Sequence, residues 1–573
     1  MKHRLALLVI ILIAFILRFY QLGGVPLSPD WDEVALGYNA YSILHTGRDE
    51  YGEFLPVVLR SFNDYKPALY AYLIIPFIPF FDLSVFAVRL PSAIMGVVTV
   101  LTVYVFVKEL FKPNSLDNSS QFTSNINKNT SLVDEIRSNK QGYIWGIPIL
   151  VAFLMAISPW HIQFSRIGFE ANVGLGLNVL MALFFLKGLR RPWLLIISGV
   201  FATLSIYTYQ SEKIFTPLII MSLVILYGRE LLKVKRVYII SALCVSLFLL
   251  CPMIKEVITN QESLSRARGV SIFSDTTNLL KTNTERLSYY KINNDFIGLV
   301  LNNRRVIYGK AILSNYLSHY DFVWLFIKGD FEVNRHHAPY MGLMYIVELP
   351  FLLIGVYQLA FGNYPKKTKL LLFSWILIAP LPASITNGVP HAVRTLNMIP
   401  ALIIFSALGF IKIYSFFTSI KRRYIFLVGL FPFLLLNFSY YLNQYFVQQN
   451  YLYALDWQYG YENIVKYTES TKDNYEKIIV SNVGEMSQSY MFFLFYTKYD
   501  PVKYLNQGGT KSGGLETNGN KFEKYYFKKI NIHKENTEST LFVGNDADLP
   551  DEFKIIYNIN YPNGDTAIKA VVR

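Results

Sequence analysis

Long apolar runs separated by short polar breaks fill residues 1–442, and after about residue 443 the pattern changes to short alternations and amphipathic stretches. Runs long enough, or nearly so, to cross about 30 Å of hydrocarbon fall near 5–21, 88–110, 142–158, 171–187, 193–209, 214–228, 237–253, 341–362, 370–386, 395–414 and 424–442. They predict about eleven transmembrane helices. One further run, 68–81, is shorter and broken by Pro76 and Pro79, which suits an interfacial or re-entrant helix better than a span.

The polar breaks give the expected sidedness. With 68–81 not crossing, the segments Lys108 to Lys140, Lys187 to Arg191, Arg229 to Arg236, Lys366 to Lys369 and Lys421 to Arg423 share the side of the N-terminus. All are basic, so the positive-inside rule makes that side cytoplasmic. The opposite, extracytoplasmic face then receives loop 22–87, loop 159–170, the turn Gln210 to Lys213, the large segment 254–340, the loop Asn387 to Arg394 and the C-terminus. Residues 113–141, rich in Asn and Ser, read as a disordered cytoplasmic loop. Beyond 443, helix-like stretches at 460–470 and 486–498 interleave with strand-like Ile478 to Val480, Leu541 to Val543 and Lys554 to Tyr557, and Asn563-Gly564 reads as a tight hairpin. The fold class is therefore a multi-pass α-helical membrane domain over 1–442, followed by a small extracytoplasmic α/β domain over 443–573.

Composition supports this reading. The chain is 53% hydrophobic with a mean hydropathy of +0.30, and its charged fraction of 16% is low for a soluble protein. The net charge of +14 sits in the short basic breaks, so topology accounts for it and no nucleic-acid partner is implied. Cys244 and Cys251 lie about 10 Å apart along a helix, beyond disulfide reach, and read as packing residues. The run after Met1-Lys2-His3-Arg4 lacks a small-residue cleavage site and reads as a retained first span.

The candidate chemistry lies at the outer ends of the spans. In Ser28-Pro29-Asp30-Trp31-Asp32-Glu33, Ser28 is placed as an N-cap, Pro29 at the first helical position and Gly47 at the end, giving a helix over Ser28 to Thr46. The helix dipole keeps Asp32 and Glu33 ionised, which suits a general base or metal ligand as well as plain dipole complementation. Tyr65-Lys66-Pro67 puts an ammonium at headgroup-phosphate level, and Arg89 opens the next span; both also fit interfacial anchors. Four residues separate Arg166 from Glu170, so the two could pair on one helical face, or Glu170 could face Asp32 across a cavity. His161, His391 and Arg394 stand in the same outer loops, and Arg335-His336-His337 reads as surface histidines. P-loop, HExxH, GxSxG and CxxC patterns are absent, which argues against an ATP-driven pump, a zincin and a serine hydrolase.

An N-terminal span followed by Asp32-Glu33, Tyr65-Lys66-Pro67, Arg89-Leu90-Pro91-Ser92-Ala93 and the Ser165-Arg166 to Glu170 segment resembles the C-type glycosyltransferases. Within them the order resembles the family 39, protein-mannosyltransferase-like group and its bacterial lipid A aminoarabinose transferase relatives, most strongly over roughly 1–230. Lys66-Pro67-Ala68-Leu69 departs mildly from the Lys-Pro-Pro-Leu of bacterial members. The resemblance implies a C-type fold and transfer of a sugar from a polyprenyl-phosphate donor to an acceptor hydroxyl of a protein, lipid or glycan, in one inverting displacement on the extracytoplasmic face. It implies Asp32 as base, Glu33 and Glu170 orienting the acceptor, and Lys66, Arg89, Arg166 and Arg394 as donor-phosphate ligands, with His161, His391 and Tyr65 supporting. No cofactor is required on this reading, though Mg²⁺ or Mn²⁺ at Asp32 and Glu170 is compatible with the carboxylates. A polysaccharide polymerase or ligase, using Arg266, Arg268, Arg304 and Arg305, and a membrane transporter are the alternatives.

Overall fold

The computed structural model describes residues 2–62, 64–112, 146–260, 269–273, 278–512, 519–531, 535, 538–549 and 553–572. The Asn- and Ser-rich segment 113–141 and the arginines at 266 and 268 lie outside the described residues. Each of the eleven apolar runs contains a helix. Among the described residues, six helices are long and apolar enough to cross a membrane: Val85–Leu110, Glu170–Gly188, Glu212–Leu231, Arg236–Thr259, Leu396–Phe416 and Ile420–Leu452. Gly146–Ile157 and Pro159–Ser165 make a seventh if taken as one span bent by 58°. The other four fall short for local reasons. Lys2–Phe19 carries Lys2, Arg4 and Arg18, while Leu194–Ile206, Ile346–Phe361 and Lys366–Ile378 are too short. Residues 68–81 form helical turns, Leu69–Ile74, Ile75–Phe77 and Ile78–Phe81, broken where the prolines fall.

The bundle is tightest where Leu349–Phe361 crosses Ile399–Phe416. A Cβ on Gly355 would lie 1.7 Å from Phe405 O, and one on Gly409 would lie 1.8 Å from Phe351 O, so this crossing admits only glycine on both helices. Arg236–Thr259 packs on one side only, against Leu194–Ile206, and leaves Cys244 and Cys251 exposed. They are exposed rather than packing residues.

Loop 22–87 is more ordered than its sequence suggested. After the helix Trp31–Thr46 comes an antiparallel hairpin of β1 (Val58–Ser61) and β2 (Asp64–Pro67), pairing Leu59 with Lys66 and Arg60 with Tyr65. The C-terminal region holds a six-stranded sheet in the order β4-β5-β3-β6-β8-β7. Its strands are β3 (Lys477–Val480), β4 (Asn520–Phe522), β5 (Tyr525–Phe527), β6 (Thr540–Gly544), β7 (Lys554–Asn560) and β8 (Thr566–Val572). Central β3 runs parallel to β5 and β6, and the remaining pairs are antiparallel. The Asn563-Gly564 turn exists, but as a wider loop closed by Tyr561 and Asp565 rather than a two-residue turn.

This sheet region does not stand apart from the first loop. Val34, Leu36, Tyr38, Ile43 and Tyr70 share one apolar core with Tyr461, Ile478, Phe492, Phe493 and Tyr525. Gly37 makes the approach possible, since a Cβ there would meet the Phe495 ring at 2.6 Å. The acidic-pair helix is thus clamped between the membrane bundle and the C-terminal sheet.

Candidate active site

The N-cap of the helix Trp31–Thr46 is Asp30, two residues later than the Ser28 cap that the sequence suggested. Asp30 Oδ1 accepts the Glu33 N–H at 2.8 Å and Glu33 Oε2 accepts the Asp30 N–H at 3.3 Å, a complete capping box that fixes where the helix starts. Gly47 closes the helix with φ 69°.

That start separates the two acids. Glu33 turns inward and is fully buried, and its carboxylate is saturated by Arg89 Nε at 2.8 Å, Arg89 Nη2 at 2.9 Å and the Gly168 N–H at 2.7 Å. Arg89 spends its remaining N–H groups on the carbonyls of Leu22, Pro26 and Ser28. Asp32 turns outward. Its side chain is 25% exposed and paired with Lys66 Nζ, which is 8% exposed. Of the adjacent acids, only Asp32 is accessible.

Arg166 is likewise internal. Its guanidinium binds the carbonyls of Leu17 at 2.9 Å and Val25 at 3.1 Å and the Tyr445 hydroxyl at 3.2 Å, and it lies over the Phe446 ring. Arg166 also ends the helix Pro159–Ser165 while Glu170 begins Glu170–Gly188, so the two do not share the helical face that their spacing suggested. Glu170 is buried at the first turn of its helix. His161 is buried against Arg18, Nδ1 to Nη2 at 2.7 Å. Tyr65 lies on β2 with its side chain on the hairpin face opposite Lys66, and its carbonyl accepts from Gln210.

A second ion pair joins the first loop to the segment before the Ile346–Phe361 helix. Arg335 Nη1 meets Asp30 Oδ2 at 2.5 Å, and the guanidinium lies 4.8 Å over the Trp31 ring. Burial pushes the Asp30 carboxyl up from the ordinary carboxylate range, and Arg335 pulls it back. The neighbouring histidines, expected at the surface, are buried. His336 Nδ1 contacts Asp330 Oδ2 at 2.7 Å, the same oxygen accepts the Ala392 N–H, and the His336 and His391 rings stand 4.9 Å apart. Burial holds His336 below its usual pKa against the pull of Asp330. Arg394 hydrogen-bonds Thr386 Oγ1 and Asn387 O.

The structure thus brings Asp32, Lys66, Asp30 and Arg335 to one rim, with the His336–His391 cluster behind it, and places Glu33, Arg89, Arg166 and His161 in the supporting interior. Asp30 and Asp330 escaped the sequence reading. Asp30 was legible as the first residue of an Asp-x-x-Glu capping box; nothing local marked Asp330. A metal ion fits best at Asp330, His336 and His391, whose ligand atoms lie within 4.8 Å of one another. Asp32 and Glu170 belong to no three-ligand group among the described residues.

Helices of this order, with a C-terminal sheet packed on the first loop, are similar in fold to solved structures. The chain is similar to ArnT from Cupriavidus metallidurans, solved bound to undecaprenyl phosphate, with 9% identity, coverage of 98% of this chain and 97% of that one, and a TM-score of 0.52. It also aligns with the Archaeoglobus fulgidus oligosaccharyltransferase tethered to an acceptor peptide, at 14% identity over 99% of this chain and 73% of that one, TM-score 0.49. For the same organism's AglB in complex with an inhibitory peptide and a dolichol-phosphate, the values are 13% identity, 86% of this chain and TM-score 0.47; the chain spans 63% of its length. No protein-family model and no curated protein sequence matches.

Proposed function

We propose that this protein is a membrane glycosyltransferase that moves a sugar from a polyprenyl-phosphate donor to an acceptor hydroxyl on the extracytoplasmic face. The observation that carries the reading is the Asp32–Lys66 pair: an accessible carboxylate held against an ammonium at the bundle's rim. The fold supports it, since ArnT was solved with a polyprenyl phosphate bound.

In this reading Asp32 takes the acceptor proton as the oxygen attacks the anomeric carbon and the lipid phosphate leaves from the opposite side, inverting the centre. Lys66, Arg335 and Arg394 neutralise the phosphate as negative charge builds on it. Glu33, Arg89, Arg166 and Glu170 are positioning residues, because their burial keeps them from the reacting atoms. His391 and Tyr65 support the outer loops around the rim, and His161 the interior. A divalent ion at Asp32 is not needed for this chemistry, since Lys66 already balances its charge.

The reading takes the eleven apolar helices as spans, with the N-terminus cytoplasmic and segment 113–141 on that side. Residues 1–442 form the membrane domain. Residues 443–573 form an extracytoplasmic domain that holds the first loop in place. The test is mass spectrometry of cell-surface glycans, glycolipids and glycoproteins with and without the protein. Loss of one sugar from a defined class supports the reading, and an unchanged profile contradicts it.

A further inference from the structure

The helix Ile420–Asn443 buries only Tyr441, near its C-terminal end. There it shares a small apolar cluster with Leu17, at the end of the helix Lys2–Phe19, so the two helices run in the same direction and begin at the same end of the bundle. Toward that beginning they part. Phe426 keeps Ile420–Asn443 on Phe410 and Phe417, at ring separations of 5.9 and 5.2 Å, while the gap facing Lys2–Phe19 is a groove of about 990 Å³ backed by Gly146–Ile157.

The groove's chemistry is divided along its length. Among the described residues that line it, only His3, Tyr414 and Arg423 carry polar side chains, and none is acidic. His3 and Arg423 stand in the first turns of their helices and Tyr414 in the last turn of Ile399–Phe416, so all three collect at one mouth. Arg423 is held there: its Nε donates to Phe417 O at 2.7 Å, and its guanidinium lies 5.2 Å over the Tyr414 ring. Lys421 and Arg422, both exposed, extend the positive charge beside it. From His3 to Ile13 the apolar wall rises about 15 Å, half of the hydrocarbon thickness of a bilayer.

Those features specify an occupant. Water along the apolar walls would lack hydrogen-bond partners, so in a bilayer acyl chains fill the groove. A depth of one leaflet suits a lipid of that leaflet, and a fixed guanidinium at the mouth suits its phosphate. A mouth with basic neighbours and no acid in its lining favours a headgroup of net negative charge over a zwitterionic one.

We propose that this groove binds one anionic phospholipid of the leaflet on the N-terminal side, with its phosphate at Arg423 and an acyl chain along Val9 and Ile149. On the proposed topology that leaflet is the cytoplasmic one. The site is at the opposite end of Lys2–Phe19 from the loop that carries Asp32, and nothing in the inference depends on glycosyl transfer.

The test is native mass spectrometry of the purified full-length protein, delipidated in detergent and titrated with phosphatidylglycerol or phosphatidylcholine of identical chains. The wild type is expected to hold one phosphatidylglycerol about fivefold more tightly than phosphatidylcholine, the worth of one cation at headgroup level. Arg423→Gln should remove that preference, and Arg191→Gln, at an exposed arginine outside the groove, should keep it. Gly146→Phe fills the groove from its wall; among the described residues nothing lies within 4 Å of a Cβ there, so the unfolding temperature of the lipid-free protein should hold while the one-to-one adduct is lost with both lipids. If Gly146→Phe misfolds, Arg423→Gln against Arg191→Gln decides the matter. Equal binding of the two lipids by wild type, a preference that survives Arg423→Gln or falls as far in Arg191→Gln, or an adduct that a folded Gly146→Phe retains would reduce the contact to unspecific annular lipid and overturn the proposal. Displacement of the adduct by undecaprenyl phosphate would overturn it too, assigning the groove to the donor's chain.

Discussion

Asp32 and Glu33 are neighbours in sequence and opposites in environment, because one residue along a helix is a rotation of about 100°. If Asp32 is the base, Asp32→Asn should lower transfer by about 10²–10⁴-fold while leaving the unfolding temperature and donor binding unchanged. Glu33→Gln should do the reverse. It strips the counter-charge from fully buried Arg89, a loss of about 3–5 kcal/mol visible as a lowered unfolding temperature in detergent. Lys66→Ala and Arg394→Ala should each weaken binding of polyprenyl phosphate, but not of uncharged polyprenol, by about 1.5–3 kcal/mol; equal loss for both lipids would make them membrane anchors. The sequence showed the acidic pair but not which acid faces out, because the capping box that sets the rotation starts at Asp30 and not at Ser28. Glu50 supplies a pH test. Burial raises its carboxyl to about 7, above its unfolded value, so the folded state holds the extra proton. Its favourable contribution is present below the unfolded value near 4.5 and is lost as pH rises through about 7, by about 3 kcal/mol at most. Thermal unfolding across pH 5–8 should show this loss in wild type and a flatter profile in Glu50→Gln.

At the scale of elements, the helix Trp31–Thr46 depends on a partner some 450 residues away in the chain, roughly the separation of Gly37 from Phe495. Gly37→Val would drive a side chain into Phe495 and Val88, costing about 1–3 kcal/mol of docking. Hydrogen exchange should then speed up in both Trp31–Thr46 and Ser489–Thr497, while exchange confined to one helix would show that the two are not coupled. The long helices were legible because membrane spans advertise themselves by length and hydropathy. The β1–β2 hairpin was not: its strands are four residues each, too short for an alternating pattern to stand out. The shared core was hidden for another reason, since the residues on its two sides are far apart in sequence and each looks like the interior of its own domain. Buried His336 reads as a surface residue because nothing in the sequence pattern reveals Asp330 or His391 as its neighbours.

For the whole molecule, the proposed topology puts the rim at Asp32 and the C-terminal sheet on one side of the membrane. With Cys244 and Cys251 replaced by serine, a cysteine at Lys503 should be labelled from outside intact cells and one at Asn125 should not; the opposite pattern would remove the reaction centre from the extracytoplasmic face. Treatment with EDTA should leave transfer unchanged, because Lys66 rather than a metal balances Asp32. Loss of activity restored by Mg²⁺ or Mn²⁺ would show that the chemistry needs a divalent ion after all, and restoration by Zn²⁺ would point to Asp330, His336 and His391. The most direct measurement of the central claim is an in vitro reaction of the purified protein with a panel of polyprenyl-monophosphate sugars and a lysate-derived acceptor fraction, following lipid release and product anomer. The expected result is polyprenyl monophosphate released in step with an inverted product, abolished by Asp32→Asn. Undiminished transfer by Asp32→Asn, retention at the anomeric carbon, or consumption of a nucleotide sugar in place of the lipid would contradict it.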